Sequence, residues 1–256
     1  METSATGARI AGWLVHAYTA TGVVLALLMV HLSYEGRVEA VLWLFLVAMI
    51  IVGTDGFLAR HFQVKTVVPG MDGALLDNIV DYLTYAFAPM VLLWANGYLP
   101  EGAAGGVVAA IPLVASCYQF CRSDAKTEDH FFLGFPSYWN AAAFYVIVLG
   151  MSVTGATVLL MVLAVLVFVP VKYVYPSRTA DLWWFNMTMA SVWLAFFAWI
   201  TSQLPDPNEI VVAISLLYPA VYLVESIWLT AKTAKRNHAA RSDKPAKSRS
   251  TSSIVE

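Results

Sequence analysis

Charge is scarce in this sequence. Only 12% of its 256 residues are Asp, Glu, Lys or Arg, 59% are hydrophobic, and the mean hydropathy is +0.68. Soluble domains carry about a quarter charged residues, so a water-soluble globule is excluded and an integral membrane protein is expected. Cysteine is nearly missing too. Cys117 and Cys121 lie four apart on one expected helix and read as small core residues, with no disulfide framework and no cysteine metal set. The N-terminus offers only Arg9 as an early cation and no clean small-residue cleavage site, so it is read as a retained first span, not a signal peptide. Internal repeats, a soluble domain and a basic face suited to nucleic acid are all missing. The net charge of -2 matters less than where the charges fall.

What is present is apolar sequence in long runs. About 20 such residues can cross a bilayer. Eight spans are expected, near 12–32, 38–58, 74–95, 104–121, 138–151, 155–171, 183–203 and 209–230. The expected fold is an all-α integral membrane protein with both termini cytoplasmic. Residues 138–171 could form one overlong helix or two short ones turning near Gly150–Gly155. Cation placement decides. With eight spans, fourteen of the fifteen Lys and Arg fall inside and only Arg37 outside; merging 138–171 would move nine of them outside. The membrane domain is taken as 1–231. A Ser-, Lys- and Arg-rich tail, 232–256, is expected to be disordered and to anchor the topology, with about 1 kcal/mol per cation available from anionic headgroups.

Against this background three aspartates stand out: Asp55, Asp77 and Asp81, flanked by apolar runs. A carboxylate in the bilayer costs roughly 2.5–3.5 kcal/mol, so it is a functional hypothesis by default. Asp55 and Ala59, Gly56 and Arg60, and Gly73, Asp77 and Asp81 are each spaced by four, which puts them on shared helix faces. Two helix ends would meet with carboxylates converging and small residues clearing room. Such oxygen ligands suit a hard divalent cation holding a phosphorylated substrate.

The pattern Asp55-Gly56-x2-Ala59-Arg60, then Gly73-x3-Asp77-x3-Asp81, resembles the signature of the CDP-alcohol phosphotransferase family. Twelve residues separate Arg60 from Gly73, a length similar to the bacterial phosphatidylcholine synthase branch. The segments Phe132–Asn140 and Tyr173–Arg178 also look like that branch. The resemblance covers about 27 residues directly, and the remaining spans match in character only. It implies transfer of a phosphatidyl group from CDP-diacylglycerol to choline, with release of CMP, at the bacterial inner membrane and on its cytoplasmic side. Relatives of this kind are often homodimers. One position departs from the pattern: the wider family carries another metal-binding aspartate where this chain has Val52, which leaves the number of metal ions open.

By this resemblance Asp55 and Asp77 hold Mg²⁺ or Mn²⁺, and Asp81 is the general base with possible shared metal contact. Gly56, Ala59 and Gly73 let the donor approach the backbone closely. Arg60 can pair with phosphate bidentately or serve as a span-end anchor. Arg122 is a further phosphate candidate, and Thr19 and Gly22 are candidates for the nucleoside pocket. His16 is read as structural and Asp72 as a solvated loop acid. Choline is a permanent cation, and aromatic faces attract such groups. Tyr82, Tyr138 and Trp139 are the candidates singled out, although Trp and Tyr also form interfacial belts. Two rivals stay open. One keeps the chemistry with serine, inositol or glycerol phosphate as acceptor; the other is a cation or choline transporter built on the same acids.

Overall fold

The computed structural model describes residues 2–127, 129–179 and 182–242. Helix α1 (Glu2–Tyr34) is followed by α2 (Val38–His61), the single turn α3 (Val64–Val67), and α4 (Gly73–Asp81). A π-helical turn, Tyr82–Phe87, joins α4 to α5 (Ala88–Ala95). Next come α6 (Gly102–Cys121), strand β1 (Phe131–Leu133), α7 (Trp139–Val148), α8 (Val153–Phe168) and strand β2 (Lys172–Val174). Helices α9 (Trp183–Thr201), α10 (Glu209–Ser215) and α11 (Leu217–Ser242) close the chain.

Among the described residues, six helical stretches are long and apolar enough to cross a membrane: 5–34, 38–61, 73–95, 102–121, 183–201 and 209–233. That is the architecture of an all-α membrane protein, with one exception to the expectation. β1 and β2 pair antiparallel, Phe131 opposite Val174 and Leu133 opposite Lys172. The tail boundary also moves. Helix α11 runs on to Ser242, past Lys232, and residues 243–256 lie outside the described residues.

The segment 138–171 divides in two. Gly150 turns the chain with φ of +55°, a conformation glycine adopts without a Cβ clash, and the Ser152 side chain accepts from Gly155 N–H to cap α8. Helix α7 has ten residues, nine of them buried. At 1.5 Å per residue it reaches about 15 Å, half of a hydrocarbon core of about 30 Å. It sits inside the protein, with Phe144 stacked on Phe197 at 4.0 Å.

Around it lies one core, in which Phe45, Trp139, Phe144, Leu160 and Phe197 are fully buried. Helix α1 packs along α2, α4 and α5. Gly22 permits the approach to α4, since a Cβ there would collide with Val80 Cγ1. Many large apolar side chains on the outer helix faces, such as Leu27, Val114 and Val224, remain exposed to whatever surrounds the bundle. A lipid environment requires that pattern.

Candidate active site

The end of α2 and the start of α4 line one cavity, and the loop between them ends in a helix cap. The Asp72 side chain accepts from the N–H groups of Ala74 and Leu75 at 3.1 and 3.0 Å, the N-cap that starts α4. An aspartate directly before a helical run was the available signal for this role. Gly73 then packs on His16 of α1, whose Cε1 would lie 2.9 Å from an added Cβ.

Asp55, Asp77 and Asp81 all line one cavity of about 1610 Å³, together with Thr19, Gly56, Ala59, Arg60 and Gly73. Asp55 is 5% exposed and accepts a hydrogen bond from Thr19 Oγ1 at 3.1 Å. Thr19 thus holds the carboxylate in place. Asp77 Oδ2 stands 3.5 Å from Lys126 Nζ. Asp81 Oδ1 is buried and has no hydrogen-bond partner among the described residues. Val52 lines the same cavity, at the position where an additional acid was looked for.

Among the described residues no group of three His, Cys, Asp or Glu side chains is arranged to hold a metal ion. Lys126 supplies positive charge beside Asp77. Burial works to lower the pKa of the Lys126 ammonium, but Asp77, Tyr175 and Asp81 outweigh it and hold the group above the usual lysine value. The donor chemistry nonetheless suits a hard cation: three carboxylates on one wall, one with an orphaned oxygen.

Several residues singled out by sequence stand elsewhere. Arg122 does not line the cavity. Its Nε and Nη2 donate to Asp124 at 2.6 and 2.7 Å, and its guanidinium lies over Tyr118 at 5.2 Å. A carboxylate two residues along captures it, and hydrogen bonding from Arg122 holds Asp124 below the usual carboxylate range. Gly22 packs against Val80 of α4 and does not line the cavity. Tyr82 faces α6, donating to the Leu113 carbonyl at 3.4 Å and meeting Phe120 edge-on at 6.1 Å. Trp139 is fully buried, and its Nε1 donates to Ser116 Oγ at 2.6 Å. Tyr138 does line the cavity.

Other residues line the cavity as well. Lys126, Lys65, Arg178 and His130 add basic groups, and Tyr85, Trp193, Tyr218 and Tyr222 add aromatic surface. Cations in the loops expected on one membrane side were the only sequence signal for the first set. Tyr85 follows Asp81 by four residues, the step that already linked Asp77 to Asp81.

No family model matches the chain. Curated relatives do. A phosphatidylcholine synthase of Legionella pneumophila is 41% identical over 228 residues, 86% of this chain and 89% of that one. Those of Pseudomonas aeruginosa and Borreliella burgdorferi are 37% and 34% identical, over 86% and 89% of this chain and 92% and 97% of theirs. Identities of this size across nearly the full length of both partners place the chain in the phosphatidylcholine synthase family.

Proposed function

We propose that the protein transfers the phosphatidyl group of CDP-diacylglycerol to choline, giving phosphatidylcholine and CMP. The observation that carries this reading is one cavity walled by Asp55, Asp77 and Asp81 on one side and by basic and aromatic side chains elsewhere. Within the wider resemblance to CDP-alcohol phosphotransferases, the acids play distinct parts. Asp55 and Asp77, with a share from Asp81, would hold Mg²⁺ or Mn²⁺, which when bound neutralises charge on the donor's diphosphate oxygens. Val52 leaves fewer carboxylates than a two-ion site of the family has.

Asp81 is the group assigned to take the proton from the choline hydroxyl. As that oxygen bonds to the lipid-side phosphorus, the bond from that phosphorus to the oxygen of CMP breaks, and CMP leaves. Arg60 and Lys126 add positive charge where the phosphates would lie, and transfer of this type depends mostly on positioning and charge neutralisation. Gly56 and Gly73 present bare backbone to the same space.

The topology reading belongs with this proposal. Cation placement supports a cytoplasmic N-terminus and a site facing the cytoplasm of a bacterial inner membrane. It also supports counting α7 and α8 as the fifth and sixth of eight membrane segments, α7 completing its crossing with irregular chain buried in protein.

The direct test is CMP release by purified protein given CDP-diacylglycerol and one alcohol at a time, across a Mg²⁺ and Mn²⁺ series. Choline should support release, and chelation should stop it. Release with serine but not choline would transfer the chemistry to another acceptor. No release with any alcohol would revive the transporter reading.

A further inference from the structure

A quaternary ammonium has no N–H to donate, so a protein holds it with ring faces more readily than with hydrogen-bond acceptors. The cavity contains a run of rings that begins beside Asp81. Tyr85 lies one helical step past Asp81, and its ring centroid is 6.1 Å from that of Tyr138. Tyr138 is 6.3 Å from Tyr222, Tyr222 is 6.2 Å from Tyr218, and Tyr218 is 6.0 Å from Trp193. All five line the cavity.

The four successive pairs of this run are tilted by 40 to 54° at about 6 Å, whereas Phe144 and Phe197 in the core stack at 4.0 Å with 20° between planes. At its far end Trp193 packs on those same two core rings, at 6.4 and 5.7 Å. Two of the rings are also tied by their polar atoms. Tyr222 OH donates to the Val174 carbonyl at 2.9 Å, and Trp193 Nε1 donates to Tyr145 OH at 2.8 Å.

Tyr138 is positioned by buried hydrogen bonds on both sides. Ser137, at φ of +60°, shares a hydrogen bond with Ser116 at 3.0 Å, and Trp139 donates to the same Ser116. Glu225, a buried carboxylate of α11, does not line this space. It receives a hydrogen bond from Asn186 at 3.0 Å and borders a separate small pocket with Phe185 and Trp228.

We propose that Tyr85, Tyr138, Tyr218, Tyr222 and Trp193 form the subsite for the acceptor's trimethylammonium group, with its hydroxyl directed back toward Asp81. This rests on the reading of choline as acceptor and adds the residues that select it.

The test combines binding and turnover on the full chain in nanodiscs. Radiolabelled choline is displaced by unlabelled choline or by 3,3-dimethylbutan-1-ol, its uncharged carbon isostere. The wild type should prefer choline by at least about tenfold. Tyr138→Leu and Tyr218→Leu should each weaken choline binding and raise its KM by roughly 2- to 30-fold, with the KM for CDP-diacylglycerol moving far less. Tyr138→Phe and Tyr218→Phe should retain wild-type values, because the ring and not the hydroxyl is the ligand.

Equal binding of choline and its isostere by the wild type overturns the subsite without any variant, as do leucine variants that bind choline normally. Choline binding through these rings without CMP release upholds the subsite and defeats the proposed transfer. Choline-dependent release that is indifferent to both leucine substitutions does the reverse.

Discussion

Asp81 is the residue on which the proposed chemistry turns, because its Oδ1 is buried without a partner among the described residues, in a cavity shared with two other carboxylates. Asp81→Asn keeps the shape and removes the base. It should abolish turnover while CDP-diacylglycerol binding stays largely intact, and full activity would refute the assignment. Asp77 has a different part, and Asp77→Ala should weaken metal-dependent donor binding; an unchanged dependence on Mg²⁺ or Mn²⁺ would count against it. Lys126 reaches Asp77 from a loop 49 residues further along, and nothing local in the sequence announces that meeting. Lys126→Gln should raise the KM for CDP-diacylglycerol by about tenfold or more, since hydrogen bonds to charged groups are worth about 1.5–3 kcal/mol. An unaltered KM would confine Lys126 to a topological role.

At the scale of elements, the turn between α6 and α7 converts sequence into site. Ser116 on α6 donates to Ser137 and accepts from Trp139, the two residues that flank Tyr138, and Trp139, which reads as a cavity aromatic by sequence, is the anchor instead. Ser116→Ala should cost about 1–3 kcal/mol, the penalty for stranding a buried donor, measured as a lower Tm in detergent. A Tm equal to wild type would mean that the turn is held by packing alone. The contact between α1 and α4 is similarly specific. Gly22→Leu should destabilise by about 1–3 kcal/mol through overpacking against Val80. Asp77 and Asp81 were legible from their spacing because a helix repeats locally. The partners of α4 were not, because a π turn follows at once and sends Tyr82 toward α6 and Tyr85 into the cavity. Such turns recur at functional sites.

For the whole molecule, orientation is the property with the widest consequence. Cys117 and Cys121 are free and exposed, so a cysteine-free background is a simple start. With both replaced, Arg37→Cys should react with a membrane-impermeant maleimide added to intact spheroplasts, and Lys65→Cys should react only after lysis. The opposite pattern would invert the topology and put the cavity mouth on the outer side. Among the described residues, six long helical stretches follow the hydropathy of the chain. The shortness of α7 does not, since burial by neighbours and burial by lipid leave the same apolar signature in a sequence.

The sequence by itself determined the membrane class, the boundaries of most helices and the placement of three carboxylates on the facing ends of α2 and α4. Those properties depend on hydropathy summed over about 20 residues and on a helical repeat, both local quantities. Only the tertiary structure decided which cations and rings reach the cavity. Tyr85, Tyr138, Trp193, Tyr218 and Tyr222 come from distant parts of the chain, and Arg122 is lost to Asp124 by a short-range ion pair. Aromatic and basic side chains look alike in a list whether they face lipid, core or ligand, and packing alone separates them.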